Sequence, residues 1–280
     1  MIPSPPLRQT IQNHLDRRAF SRASGRRACA VLLVTVGLLA VLGLAACGTS
    51  NPHPPGTYER GLFFVDQQMY PEAVTALDDF IRQNPTDSLA AQAQFEKAMA
   101  YFRIEEYPLA AVELQILRKD YPTSPLVEEA YFREGEAYLA QVGKIERDIT
   151  GAYEARRQFY NFLQEYPSSR FVPEVRDRLR EISDLVVRKR LQQVQVYRQL
   201  QRYEAVALTL DDLLQDEAGS GLLDRVLAER AEVALELDDP ATARRMYTRL
   251  LADFPDSPLA GRARSALEDL GEPSASAATP

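Results

Sequence analysis

The sequence predicts an all-α fold, a right-handed α-solenoid of about five helix pairs, and three observations carry that prediction. Between residues 57 and 270 almost nothing alternates apolar and polar with the period of two that a half-buried strand needs. A small residue and an aromatic recur together: Gly61, Ala98 and Gly135 lie 37 residues apart, and Phe64, Tyr101 and Tyr138 each follow three residues later. Ala73, Ala110, Ala155 and Ala243 are each followed twelve residues on by a proline, namely Pro85, Pro122, Pro167 and Pro255. Self-similarity at a fixed period marks an architecture of stacked supersecondary units.

Each recurring position has a physical reason. A small residue on the first helix of a pair lets the second approach closely, and the Ala of the second helix fits against it. The aromatic one turn further fills the groove between them. Proline after the second helix removes a backbone donor and ends the helix. A serine two or three residues beyond (Ser88, Ser124, Ser169, Ser257) reads as the cap of the next helix. A fourth unit fits around Val194–Tyr197 and Val206, with a loose Ala218-Gly219-Ser220-Gly221 segment in place of the proline. A fifth runs from Arg225 to Pro255 with Ala231 at the small position.

Two irregularities interrupt the period. In the third unit Tyr138 and Ala155 are 17 residues apart where the first two units use 9, so eight residues are inserted within Leu139–Ala152, among them Lys144, Glu146, Arg147 and Asp148. Such a charged loop is either a contact surface or simply solvated. No turn signal interrupts Ser169–Tyr203, which predicts one helix of about 50 Å serving two units. Its middle carries Arg188-Lys189-Arg190, a docking patch for an acidic partner or a solvated basic face.

The flanks are of another kind. Residues 28–46 hold no charge and follow an arginine-rich stretch ending at Arg26-Arg27. Nineteen such residues suit a membrane-spanning helix as well as a long leader, but Leu44-Ala45-Ala46-Cys47 looks like a bacterial lipobox. On that reading residues 1–46 are a removed signal peptide and Cys47 carries the lipid; the alternative is an uncleaved anchor with an incidental cysteine. Gly48 rather than Asp after the cysteine points to the outer membrane under the sorting rule of diderm lipoproteins. Residues 47–56 then form a lipidated, proline-rich tether, 57–270 the solenoid and 271–280 a disordered tail. Several acyl chains together anchor stably.

Composition excludes several functions. The chain has 33 Lys+Arg against 40 Asp+Glu, a net charge of −7. Removing the first 46 residues, which carry six Arg and one Asp, takes it to −12 and argues against nucleic-acid binding. The two His and two Cys (His14, His53, Cys29, Cys47) all lie outside 57–270, which disfavours a His-based catalytic centre or a metal site, and no cofactor is expected. With no Gly-x-Gly-x-x-Gly, P-loop or Gly-x-Ser-x-Gly motif either, the chain reads as a non-enzyme.

The repeat resembles the tetratricopeptide (TPR) unit, without the Trp and Leu often found early in that pattern. Lipobox, tether, five units, the enlarged third-unit loop with Arg147-Asp148 and the long helix together resemble the BamD family of lipoproteins of the β-barrel assembly machinery. Phe80-Ile81-Arg82, Tyr166-Pro167-Ser168-Ser169 and Tyr197 carry the likeness within the solenoid. The resemblance implies an outer-membrane scaffold facing the periplasm. It would dock on the POTRA-containing, barrel-forming central subunit, sit beside other assembly lipoproteins and receive unfolded outer-membrane proteins. Other TPR lipoproteins act as secretin pilotins or in Tol–Pal and envelope-constriction systems, and these are the rival reading.

For the substrate groove the resemblance directs attention to the turn Arg82–Asp87, where Asn84 stands in place of the usual Tyr, and to the second unit's first helix with Gln94, Lys97 and Tyr101. Tyr101 also occupies the repeat's aromatic slot, which makes it a core candidate; Lys97 is the expected groove residue. Partner docking is expected at Arg147, Asp148, Arg188, Lys189 and Arg190, although the family leads one to expect an acid near 190.

Overall fold

The computed structural model describes residues 51–143 and 148–271, and every described helix belongs to the compact unit that begins at His53. Among the described residues there are eleven helices and no strand. They are α1 (Tyr58–Asp66), α2 (Tyr70–Gln83), α3 (Ala90–Arg103), α4 (Tyr107–Asp120), α5 (Val127–Ala140) and α6 (Thr150–Glu165). There follow α7 (Val172–Gln199), α8 (Tyr203–Asp216), α9 (Leu223–Glu236), α10 (Pro240–Asp253) and α11 (Ala260–Asp269). Consecutive helices pack as pairs from α1/α2 to α9/α10, and α11 closes the end against α10. The fold is an α-solenoid of five helix pairs. The lipobox Leu44, Ala45, Ala46 and Cys47, and Arg147, lie outside the described residues.

The small positions are contact points between paired helices, but the side chain facing each glycine is the large residue four places after the expected Ala. A Cβ on Gly61 would come within 2.4 Å of the Leu77 side chain on α2, and one on Gly135 within 2.4 Å of the Phe159 ring on α6. Ala73, Ala110, Ala155 and Ala243 are completely buried. The largest core runs through the third to fifth units on Phe159, Phe162, Val187, Val194 and Leu210.

Four pairs share a turn that the sequence does not announce. Gln68, Glu105, Gln201 and Asp238 all adopt positive φ, from 55° to 63°. The residue after each donates its N–H five residues back, as in Met69→Phe64 and Glu106→Tyr101 at 2.8 and 3.0 Å, closing the helix with a Schellman-type bond. Glycine is the usual occupant; here Gln, Glu and Asp carry the strain.

This turn corrects the expectation of a single helix over Ser169–Tyr203. Helix α7 has 28 residues, about 42 Å, and ends at Gln199, because Gln201 turns left-handed and Arg202 N–H bonds the Tyr197 carbonyl at 2.9 Å. The serines also act differently from caps. Ser124, Ser169 and Ser257 accept from the N–H two residues on at 3.0–3.2 Å, while the cap positions are Leu126, Phe171 and Leu259. In the first junction Asp87, not Ser88, accepts from Leu89 N–H, at 2.8 Å. The segment expected to be loose is pinned: Ser220 Oγ and Gly221 N–H both donate to Asp184, at 2.6 and 2.8 Å.

Candidate partner-binding surfaces

Between successive units lies a buried polar node. Lys97 on α3, with a side chain only 11% exposed, bridges Asp78 on α2 at 2.7 Å and Glu113 on α4 at 2.9 Å. Burial works against its charge, but hydrogen bonds to the two carboxylates outweigh that and hold its pKa above the ordinary lysine value. Gln94 is buried beside it and donates to the Glu113 backbone carbonyl at 3.1 Å. One unit on, Glu134 takes Gln115 and Gln158 at 2.8 and 2.7 Å and the Arg118 guanidinium at 2.5 Å. Burial pushes its carboxyl pKa up, against those bonds. In the fifth unit Arg230 binds Asp211 at 2.7 Å. Lys97–Asp78, Glu134–Gln115 and Arg230–Asp211 all have the separation of 19 residues, so one repeat position bonds to the preceding second helix each time, as an ion pair through Lys97 and Arg230 and as an amide-to-carboxylate hydrogen bond at Glu134.

This overturns the groove expectation for two residues. Gln94 and Lys97 hold neighbouring units together and line no open surface. Tyr101 is half-buried against Ala110, Ala111 and Ala137. Arg82 is exposed and pairs with Asp78 at 3.3 Å and with Asp79. Asn84 closes the end of α2, its Nδ2 donating to the Phe80 carbonyl at 3.1 Å. Asn84 lies at the α2–α3 junction and Tyr101 near the far end of α3, so the structure does not gather the five candidates into one groove.

Open pockets among the described residues include three that lie elsewhere. The first, of about 450 Å³, lies between α1 and α2 and is lined by Pro55, Arg60, Phe64, Glu72, Thr75 and Asp79, among others. The chain before α1 is fastened beside it, since Arg60 donates to the His53 carbonyl at 2.8 Å and Thr57 Oγ1 to the Pro54 carbonyl at 2.9 Å. The second, of about 420 Å³, runs along α7 and is lined by Lys189, Gln192, Gln193, Val196 and Tyr197. The third, of about 370 Å³, lies between α9 and α11 near Arg225, Glu229, Glu232 and Arg262.

Asp148 accepts from the Thr150 hydroxyl and N–H at 2.7 and 2.8 Å at the start of α6. Those hydrogen bonds, with the nearby Lys189 charge, hold its carboxyl below the ordinary value. In the basic run of α7, Arg188 is exposed and Lys189 and Arg190 are half-buried. Sequence reasoning missed the clamp behind this region, where Glu217, almost fully buried, receives a two-pronged bond from Arg156 at 2.7 and 2.9 Å. Nothing in the repeat pattern pairs residues 61 apart.

Among the described residues no helix is long and apolar enough to cross a membrane, and no group of three or more His, Cys, Asp or Glu is arranged to hold a metal ion. Stacked helix pairs with open faces, and a charge network spent on holding units together, define an α-solenoid of helix pairs. The chain belongs to the YfiO outer membrane lipoprotein family, whose sequence model matches residues 52–245. Among solved structures it is similar to a thermophilic TPR protein of Thermus thermophilus, at 20% identity over 74% of this chain and 95% of that one, with a TM-score of 0.31. No curated protein matches it.

Proposed function

We propose that this chain is a lipid-anchored scaffold of the outer-membrane β-barrel assembly machinery, non-enzymatic and facing the periplasm. On this reading Cys47 carries the acyl chains, residues 48–56 span the gap to the solenoid, and the solenoid docks on a POTRA-containing barrel subunit while receiving unfolded outer-membrane proteins. The observation that supports it most is the family match over 52–245, which takes in the enlarged third-unit connection and the 28-residue α7. Arg147, Asp148, Arg188, Lys189 and Arg190 are the proposed docking residues; Arg82, Asn84 and Tyr101 remain the proposed substrate contacts, at separate points of the first two units.

The test is co-purification of the native chain from detergent-solubilised envelopes with mass spectrometry of its companions. A POTRA-bearing barrel protein in stoichiometric yield is the expected result. A secretin or a Tol–Pal component in its place would retire the function and keep the fold. Cys47→Ser is expected to abolish palmitate labelling and release the chain from the membrane fraction.

A further inference from the structure

Each step from one unit to the next uses a pair of apolar positions, and the last step lacks half of its pair. Lys97, Glu134 and Arg230 mark one register of the first helices; Arg60 holds that place on α1 and Gln193 on α7. Two residues earlier stand Tyr58, Phe95, Phe132 and Leu191, large in the first four units, and then Ala228 in the fifth. The apolar cap of the next first helix follows 31 residues after Tyr58, Phe95, Leu191 and Ala228, as Leu89, Leu126, Leu222 and Leu259. Phe132 meets the same register at Phe171 once the eight inserted residues are added. Helix α7 thus serves two steps, with Phe171 at its start and Leu191 in its second half.

Where the pair is complete, the space between the first helices is filled. The Phe132 ring lies flat on Phe171, with centroids 4.8 Å apart and 11° between the planes. Leu191 is buried, and Leu222 packs on the same core. Phe95 and Leu126 both pack on the cluster of Ala98, Leu114 and Leu117. At the last step a methyl group stands where a ring or an isobutyl group stands elsewhere. The pocket of about 370 Å³ between α9 and α11 opens at that place, with Ala228, Leu222, Pro258 and Leu259 as its apolar lining.

The charges around this pocket are mostly spent. Glu229 takes Arg198 at 2.6 Å and Glu232 takes Arg262 at 2.9 Å. Asp224 accepts from the Ser257 hydroxyl at 2.6 Å and from the Arg225 backbone N–H at 2.7 Å. Among the described residues no carboxylate pairs with the guanidinium of Arg225, which is exposed at the pocket. We propose that the pocket takes an aromatic side chain of a partner protein, carried next to an acidic residue. The ring lies against Leu259 as Phe132 lies against Phe171, and the neighbouring carboxylate pairs with Arg225. An aromatic group held in such a pocket is the kind of anchor on which binding energy concentrates. The inference goes beyond the proposed machinery, because Ala228 and Arg225 are among neither its docking nor its substrate residues, and it holds whichever protein supplies the ring.

The probe is a capped Gly/Ser peptide with one central Asp followed by a diazirine-bearing phenylalanine, irradiated with the full chain in detergent and mapped by mass spectrometry. Adducts are expected within residues 222–232 and 258–262. Their yield should fall about tenfold or more in Ala228→Phe, which fills the pocket, and in Arg225→Glu, which repels the acid. A probe with Lys in place of Asp should label about tenfold less. Ala228 is buried, so thermal unfolding of Ala228→Phe is measured beside the labelling. Arg225 is exposed, so Arg225→Glu keeps the fold and decides the matter alone if Ala228→Phe does not fold. Absence of adducts on α9 and α11, or labelling unchanged by Arg225→Glu, overturns the proposal. So do equal yields from the Asp and Lys probes, and adducts confined to α7 or to the α1/α2 pocket. Co-purification of a POTRA-bearing protein tests the function separately, and neither result depends on the other.

Discussion

Val233 and Val196 occupy the same place in successive units, yet one is sealed in the core and the other half in water. The two differ in what precedes them: α9 is backed by α8, and among the described residues no second helix backs the second half of α7 to the same extent. A repeat position is therefore not buried or exposed by its own chemistry. Its neighbour in the stack decides, because burial in a solenoid is a nearest-neighbour property.

The largest effect should come from breaking the covered node. Lys97→Ala leaves Glu113 without its cation while the partly exposed Asp78 keeps Arg82, and should cost about 2.5 kcal/mol, read as a lower urea midpoint. Gln193→Ala at the uncovered equivalent should stay within about 0.5 kcal/mol. Equal losses at both positions would erase the distinction between the units.

The apolar pair repeats the contrast on a smaller scale. Val233→Ala opens a cavity and should cost about 2 kcal/mol, while Val196→Ala should cost under about 0.5 kcal/mol by thermal unfolding.

Titration sharpens the comparison within the covered nodes. The folded pKa of Glu134 is raised by burial, so this group favours the folded state most fully below its unfolded pKa, and that contribution is lost as pH rises from there through the folded value. Lys97, also raised, keeps its contribution until pH climbs above the ordinary lysine range. Unfolding of Glu134→Gln and Lys97→Met against the parent chain should diverge in the mildly acidic and strongly alkaline ranges respectively; a parallel pH profile for either pair would refute the assignment.

The smallest expected change is a gain. Gln201→Gly removes the left-handed strain that ends α7 and should stabilise by up to about 1 kcal/mol, a small rise in melting temperature. A loss there would mean that the Gln201 side chain has a role beyond the turn.

The candidate site was harder to read than the fold. Gln94 and Lys97 look like surface polar residues in the sequence, and only the approach of α2 and α4 shows them to be interior. Arg156 and Glu217 carry no shared period, so their clamp is invisible until α6 and the end of α8 meet. Four turns went unread because Gln68, Glu105, Gln201 and Asp238 stand where glycine usually does.

The helix pairs themselves were written in the chain: small residues where helices must touch, buried alanines on the second helices and prolines where helices must stop are local steric demands, met residue by residue. Which faces stay open was not, since the length of α7 shifts the stack by a distance that no local preference encodes. Local sterics determined the unit, and the packing of one unit on the next determined where a partner can bind.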